Sequence, residues 1–558
     1  MASVTTHIHA FTVLCSRIGL AFILVAALLG LLHILWTATY NVLFHPLRKY
    51  PGPGLCALTR IPYSRMELSG SAPYQMLELH RSHPDAMKGI RGRRKAGAPE
   101  HQKDPFRDIL RNNILGADRA NHTRYRSILA KSFSHQSILA KQPIINKHVD
   151  KLIQQLDDCC AGGTQKVDIM RWLSFTTFDI IGDLSFGESF GCLDRRTYHP
   201  WVELIFTSFK NRWYLSTLKR YPLLFPLLQR FVMPASLATK YSEHRRLSAA
   251  KVQQRLSTVT NRPDFMACMT SNDGLAALSF DELVSNATVL IAAGSETTAT
   301  AVTAAVYYLA RQPKLLAKVA AEVRSAFATE AEIDLLSVHH LTYMLAVLDE
   351  AMRLCPPAPG GQPRVIGEGG DTILGQYVAQ GTFVEVWQWA VYHDPAHFGQ
   401  PEAFIPERWL GDTRFDNDKR EAFQPFSVGP RDCIGKKLAY SEMRLILARL
   451  IWQFDIELAQ DSIGWDERNR FYMAIEKGPV NRAPRKSRFL WFASGTVAAA
   501  AARVEGKDSA HDSRGGKGSA REREAEAAGG ALPCHFLPLA GGAFCRRWRC
   551  LSRETSLA

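Results

Sequence analysis

Several signatures that would classify a chain of 558 residues at once are missing from this sequence. Its 11 cysteines are scattered, with no CxxC pair and no disulfide-like spacing. That excludes a stapled secreted scaffold and fits reduced thiols on the cytosolic side. The adjacent Cys159 and Cys160 carry no recognisable role. No GxGxxG turn occurs, so nothing indicates a flavin or nicotinamide held by the chain itself. Internal repeats are absent as well. The formal charge is +15, yet no zinc finger, RNP or helix-turn-helix pattern accompanies it, which excludes the common nucleic-acid readers. A basic surface facing an acidic protein partner or an anionic membrane leaflet explains the same charge. Strand signals are few and cluster between Pro363 and Val391, where Thr382-Phe383-Val384-Glu385-Val386 has the β-branched and aromatic pattern.

What is present is mostly helix, over a hydrophobic content of 46% that supports a sizeable core. Helical runs cover Asn121 to Phe133, Ile144 to Asp157, Phe175 to Leu184, Phe280 to Arg311 and Lys314 to Ala328. After an N-terminal segment (residues 1–18), residues 19–39 form an apolar run. About 20 residues suffice to cross the ~30 Å hydrocarbon core as a helix. A cleaved signal would have a shorter core and a small-residue cleavage site. Positive charge is greater after the run (Arg48, Lys49) than before it (Arg17), which places the following body in the cytosol. Residues 40–55 read as a hinge, because Pro51-Gly52-Pro53-Gly54 cannot continue a helix. Residues 56–488 form the body. The remainder, 489–558, becomes Gly, Ala, Arg and Glu of low complexity and is expected to be disordered.

The most informative stretch is Phe426-Ser427-Val428-Gly429-Pro430-Arg431-Asp432-Cys433-Ile434-Gly435, followed by a helical run from Lys436 to Leu450. A cysteine just ahead of a helix N-terminus, two residues after an arginine, stands where a thiolate is favoured. Gly429 and Gly435 let backbone N–H groups approach its sulfur. A thiolate cradled in this way is what haem iron requires when oxygen is to be split. A lone cysteine in a loop is more often structural, but here every fixed position of a longer pattern is met. The spacing Phe-x-x-Gly-x-Arg-x-Cys-x-Gly resembles the haem-binding loop of the cytochrome P-450 superfamily, with Cys433 in the place of the iron ligand. The resemblance runs over roughly residues 40 to 485. It implies a mainly α haem-thiolate fold with a small β-sheet, one N-terminal transmembrane helix, and haem b as cofactor.

Further motifs agree with it. Gly294, Glu296 and Thr297 match the family's Gly-x-Asp/Glu-Thr pattern within an apolar helix. There a widened turn at Gly294 would admit oxygen, and Glu296 with Thr297 would deliver protons. Glu350 and Arg353 are spaced to pair on one helix face. With Arg408 of Pro406-Glu407-Arg408-Trp409 they resemble the family's structural network under the cysteine loop, with Trp409 in place of Phe. Alone, a Glu/Arg pair is usually surface decoration. His122 and Arg126, Arg364, and Arg431 match three places where the family contacts haem propionates. Sequons at Asn121 and Asn286 lie within helices and read as chance.

The sequence therefore reads as a single-pass endoplasmic-reticulum haem-thiolate monooxygenase, acting on an apolar small molecule with O2. Asp179 to Gly187 and Glu442-Met443-Arg444-Leu445 look most like filamentous-fungal members of secondary metabolism. Electrons are implied to come from an NADPH-dependent flavoprotein reductase, docked near Lys436, Lys437 and Arg444 unless these form only a solvated face. Phe209, Trp213, Tyr214 and Leu215 make the substrate region apolar. A peroxide isomerase or dehydratase is the enzyme alternative, disfavoured by the intact Gly294–Glu296–Thr297 set. An inactive haem-binding remnant is the other, because about 20 residues of expected strands are missing near residues 80–90.

Overall fold

The helices that build the core form where periodicity predicts them, and several have a local reason to start. In the computed structural model the N-terminal helix is α1 (Ala2–Leu43), and the core helices are α2 (Arg119–Ala130), α3 (Gln142–Cys160), α4 (Ile169–Phe186), α5 (Phe280–Arg311), α6 (Pro313–Ala326), α7 (Thr342–Leu354) and α8 (Lys436–Gln453). Pro200–Leu218 and Ala235–Ser257 are further long helices. The structure describes residues 2–50, 52–79, 86–92, 94, 100–106, 112–160, 165–222, 224–226, 229, 235–258, 260–271, 277–471, 475–477 and 489–490. Asp118 caps α2 by accepting from the Asn121 N–H, and Asp168 caps α4 from the Arg171 N–H. At the start of α5, Ser279 and Glu282 form a reciprocal capping box, so two otherwise unpaired N–H groups are satisfied.

Helix α5 is the axis of the core and packs on α4, α7 and α8. Phe178, Leu184, Val302, Val306, Leu445 and Leu447 are fully buried between them. Each such side chain contributes about 1.5–3 kcal/mol relative to exposure. Although α5 is apolar enough to cross a membrane, it is 78% buried, which identifies it as a core helix. The stretch Arg17–Leu43 of α1 has mean hydropathy 2.7 and none of it is buried, so it is the candidate span.

The first break falls within the expected hinge, residues 40–55. Helix α1 runs on past residue 39 and stops at Leu43, ahead of Pro46, and His45 Nδ1 accepts from the Leu47 N–H to open a short 3-10 turn. Gly52 and Pro53 are non-helical, and a short helix, Gly54–Leu58, follows them.

The β-structure is slight. Strands β1 (Gln102–Lys103), β2 (Arg364–Val365), β3 (Asp371–Ile373), β4 (Gln376–Val378) and β5 (Phe383–Val384) come first. They are followed by β6 (Asp455–Ile456), β7 (Arg470–Phe471), β8 (Ile475–Glu476) and β9 (Phe489–Leu490). Sheet β1-β2-β5 is antiparallel, with Arg364 opposite Lys103 on one side and Val384 on the other. Gln388–Tyr392, inside the expected strand cluster, is instead a buried helix, since a short apolar run has no period that separates the two. The expected strand loss near residues 80–90 lies partly outside the described residues, and Ala86–Arg91 is helical. The expected disordered tail lies outside them from residue 491 onward. Phe489–Leu490, assigned to that tail, pair in parallel with β6.

Candidate active site

The cysteine loop, α2, α4, α5 and the start of α8 enclose a cavity of about 260 Å³. Cys433 faces it, positioned by its own N–H donating to the Phe426 carbonyl at 2.8 Å. Ser427 (φ 61°) and Gly429 (φ 87°) turn the chain through the left-handed region. At Gly429 no side chain fits, because an added Cβ would lie 2.0 Å from the Arg91 carbonyl oxygen. Gly435 is different: an added Cβ would sit at ordinary contact distance, 3.9 Å from the Cys433 sulfur. The Cys433 side chain is exposed to this cavity, yet the protein around it is dense enough that burial raises the thiol above its ordinary value. The Gly435 N–H, Arg126 and Lys436 pull it down and Asp432 pushes it up. Of the thiolate-favouring elements expected from sequence the Gly435 N–H contributes, whereas Arg431 gives way to Arg126 and Lys436, and burial outweighs all three.

The polar end of the cavity is cationic. His122, Arg126, Arg364, Arg431 and Lys103 all line it. Arg126 donates to the Asp432 carbonyl (2.8 Å) and carboxylate (2.5 Å). Arg431 is held by Glu100 at 2.7 Å and by the Ala117 carbonyl. Arg364 is buried and, among the described residues, donates only to the Gln362 and Pro363 carbonyls. Burial, then Arg91 and Arg431, lower it to about 9. Burial and the nearby Arg431 and Lys103 hold His122 neutral, lowered to about 4. An apolar cavity with a sulfur ligand in its wall and a buried, undercompensated guanidinium at one end suits haem b, whose iron Cys433 would hold and whose carboxylates the cations would face.

On α5, Ala293, Gly294, Thr297, Thr298 and Ala301 form another part of the wall. The expected widened turn is absent, and α5 is continuous α-helix through Gly294. This glycine serves packing, since an added Cβ would lie 2.8 Å from Ile181 Cδ1 of α4. Thr297 Oγ1 donates to the Ala293 carbonyl at 2.6 Å. Glu296 does not reach the wall; it is buried and ion-paired with Lys477 at 2.6 Å. Consecutive helical residues point roughly 100° apart, so one sequence motif serves two places.

The expected network under the loop is complete. Glu350, Arg353 and Arg408 are all fully buried. The Glu350 carboxylate accepts from Arg353 Nε and Nη2 (3.0 and 2.9 Å), Arg408 Nε (3.0 Å), Trp409 Nε1 (3.0 Å) and the Ile405 N–H (3.0 Å). The indole that replaces Phe is thus a donor to the carboxylate.

Other residues differ from expectation. Arg444 is buried and bonded to His339 Nδ1 at 2.8 Å, so it is not part of a docking face, whereas Lys436 and Lys437 are exposed. Trp213 packs with Met66, Met76 and Trp387 away from the cavity, and the Phe209 side chain lies outside the described residues. Asn286 is buried, with its side-chain Oδ1 accepting from the Ile114 N–H and its Nδ2 donating to the Glu282 carbonyl, which excludes it as a glycan acceptor. Sequence reasoning missed Glu442, a buried carboxyl lining the cavity, and Lys477. A lone Glu on a helix reads as solvated, and Lys477 lies in no motif.

The sequence profile of the cytochrome P-450 family matches residues 80–481. A trichothecene C-15 hydroxylase of Fusarium sporotrichioides is 48% identical over 474 positions, covering 81% of this chain and 96% of that protein. An averantin hydroxylase of Dothistroma septosporum is 38% identical, covering 80% and 89% respectively. A cytochrome P-450 monooxygenase of Talaromyces wortmannii is 40% identical, covering 78% and 92%. With its cysteine loop, cationic cavity end and buried Glu350 network in place, the chain belongs to the cytochrome P-450 family, among the monooxygenases of fungal secondary metabolism.

Proposed function

We propose that the chain hydroxylates an apolar secondary metabolite, with a trichothecene skeleton as the first substrate to try, since the C-15 hydroxylase is 48% identical. The observation that carries this reading is one cavity that brings together Cys433, the Thr297 hydroxyl and the buried Arg364. Haem b bound through Cys433 supplies oxygen activation and takes two electrons per turnover. Arg364 and His122 would hold its acidic edge, with Arg126 and Arg431 alongside. Thr297 keeps an exchangeable proton at Oγ1 in the cavity wall. Ala293, Ala301, Val289 and Leu290 keep the wall apolar and exclude water around the substrate. An NADPH-dependent flavoprotein reductase delivers the electrons, with Lys436 and Lys437 on its side of the loop. Helix α1 anchors the chain in the endoplasmic reticulum with the body in the cytosol.

The inactive remnant is the second reading. The alignment with the C-15 hydroxylase has 474 positions, more than 81% of 558 residues supplies, so this chain skips positions that its relative fills. The test is a carbon monoxide difference spectrum of the reduced protein, then turnover of a trichothecene lacking the 15-hydroxyl with NADPH and a fungal reductase. A thiolate-type Soret band with a hydroxylated product supports the proposal. A histidine-type band, or no haem, supports the remnant; product formed from a peroxide without reductase supports the isomerase class. Cys433→Ser should remove the thiolate band.

A further inference from the structure

Helix α8 carries a stripe of three side chains four residues apart, Lys436, Tyr440 and Arg444, turned to the cysteine loop. The Lys436 ammonium lies 5.8 Å from the centre of the Phe426 ring, and the Tyr440 ring stands 5.1 Å from that same ring at 45°. The Arg444 guanidinium lies 5.5 Å from the Tyr440 ring. These are attractive distances for cation–ring and ring–ring contacts. Phe426 opens the loop, lines the cavity and accepts the Cys433 N–H on its carbonyl. One ring therefore stands between the stripe and the backbone that positions the sulfur. From α7, Asp349 Oδ1 accepts the Tyr440 hydroxyl at 2.7 Å. Asp349 directly precedes Glu350, and a helix turns by about 100° per residue, so α7 grips the loop network with one carboxylate and the α8 stripe with the other. Asp349 is half-buried, and burial raises it to about 6. Tyr440, Arg444 and Lys436 on α8 pull it down, and Glu350 on its own helix pushes it up. Arg444 is held in turn by His339 Nδ1 on the turn Ser337–His340; burial, then Arg444 and His135, lower that imidazole, so it stays neutral near pH 7. Burial also pushes the Tyr440 phenol up, so it remains a donor. Asp349 is thus the group of this cluster that changes charge just below neutral pH.

We propose that Asp349 and Tyr440 are positioning residues for Cys433: they brace Phe426 against the loop, and the negative charge of Asp349 makes the haem iron harder to reduce. The proposal rests on the reading that Cys433 holds that iron. Reduction adds one electron to the iron, from the reductase, and changes no bond in the protein. A nearby negative charge opposes the added electron, and packed rings screen it less than water does. At an effective dielectric of about 20, one unit charge within about 20 Å changes the reduced-to-oxidised ratio by at least about threefold. Protonating Asp349 removes this opposition, so the iron becomes easier to reduce as pH falls through about 6. Tyr440 contributes twice: its hydroxyl keeps Asp349 ionised to lower pH, and its ring fixes Phe426.

The test uses the full-length, haem-loaded protein without substrate. Its readouts are haem content, the carbon monoxide band, and the midpoint potential from a dye-mediated titration repeated across the pH range in which Asp349 titrates. Asp349→Asn keeps the size and an acceptor for Tyr440 but not the charge. It should retain the thiolate band and raise the reduced-to-oxidised ratio at a fixed potential at least about threefold above that range, with no difference from wild type below it. Asp349→Glu should restore the wild-type pH dependence. Tyr440→Phe keeps the ring and removes the donor, so the step in potential should move to higher pH. In an Asp349→Asn background the same change should find no step to move. Asp349→Asn that keeps its thiolate band and follows the wild-type potential at every pH would overturn the proposal and leave the pair as a tie between α7 and α8. A difference from wild type of equal size at every pH would overturn it too, because a packing change does not titrate. If Asp349→Asn loses haem, Tyr440→Phe decides: a step moved upward in pH supports the proposal, and an unmoved one overturns it. A wild-type protein without a thiolate band would instead refute the underlying reading of Cys433, whatever Asp349 does.

Discussion

Replacing Glu350 by alanine tests whether the buried network, not the loop sequence alone, keeps Cys433 in place. The carboxylate accepts five hydrogen bonds, three of them from guanidinium groups, in a fully buried site. Removing one partner of a buried pair costs about 3–5 kcal/mol, because the other charge is left uncompensated. Here Arg408 keeps Asp418, while Arg353 is left with the carbonyls of Tyr392, Pro401 and Ala403. Loss near the upper end, about 4–5 kcal/mol, is therefore expected. Against a total stability of about 5–15 kcal/mol this is a large fraction, and haem-loaded protein should fall sharply. Trp409→Phe removes one donor and keeps the packing, so it should cost only about 1–3 kcal/mol and retain haem. Soret absorbance per protein and the urea midpoint measure both. A Glu350→Ala protein with wild-type haem content and midpoint would refute the reasoning, as would a Trp409→Phe protein as damaged as Glu350→Ala.

Three further outcomes follow from specific contacts. Gly294→Ala gains about 1 kcal/mol in helix propensity but overpacks Ile181 at about 1–3 kcal/mol, so it should lower the thermal midpoint. In an Ile181→Val background the same change should be neutral or stabilising; an equal loss in both backgrounds would show that Ile181 is not the cause. Burial raises Glu442 to about 8, so its contribution to stability is complete below its ordinary range and is lost as pH rises through about 8. Glu442→Gln should therefore match wild type in urea midpoint at low pH and exceed it above that value, and a constant difference at all pH would contradict this. Deleting residues 491–558 while keeping β9 should leave haem content unchanged, which an absorbance spectrum of the shortened chain checks.

How far the sequence was legible depended on what kind of interaction each residue makes. Cys433, Gly429 and the Glu350–Arg353–Arg408 set were readable because backbone geometry and charge pairing at fixed spacing leave few alternatives. Helix α5 was readable to the residue because its apolar helical run extends unbroken from Phe280 to Arg311. The β-structure was not, since most strands have two residues and show no alternation. Glu296 and Thr297 read as one device, although helical geometry sends them to different sides and the deciding partner, Lys477, is distant in sequence. The role of Gly294 was hidden for a similar reason: the need for glycine comes from Ile181 on another helix. Three arginines were likewise read as equivalent cofactor contacts, because spacing reveals where a cation stands but not which carboxylate already holds it.

That last distinction orders the three arginines. Arg431 and Arg126 face the cavity with a carboxylate already in contact, Glu100 and Asp432 respectively. A cofactor carboxylate arriving there must share or displace an existing partner, so the net gain is small. Among the described residues Arg364 donates only to backbone carbonyls, and its lowering to about 9 records burial beside Arg91 and Arg431 that Glu100 only partly offsets, the condition that a bound anion relieves most. A hydrogen-bonded ion contact of this kind is worth about 1.5–3 kcal/mol, so Arg364→Leu should weaken haem retention by roughly 10- to 150-fold. Truncating Arg431 is a poor comparison, because it leaves the Glu100 carboxylate unpaired at the cavity edge. The clean counterpart is Glu100→Gln, which frees Arg431 and removes a competing negative charge, and should tighten retention. Haem transfer from each variant to a stronger acceptor protein gives the rates. Faster loss from Glu100→Gln than from wild type would mean that the Glu100–Arg431 pair shapes the cavity rather than competing for it.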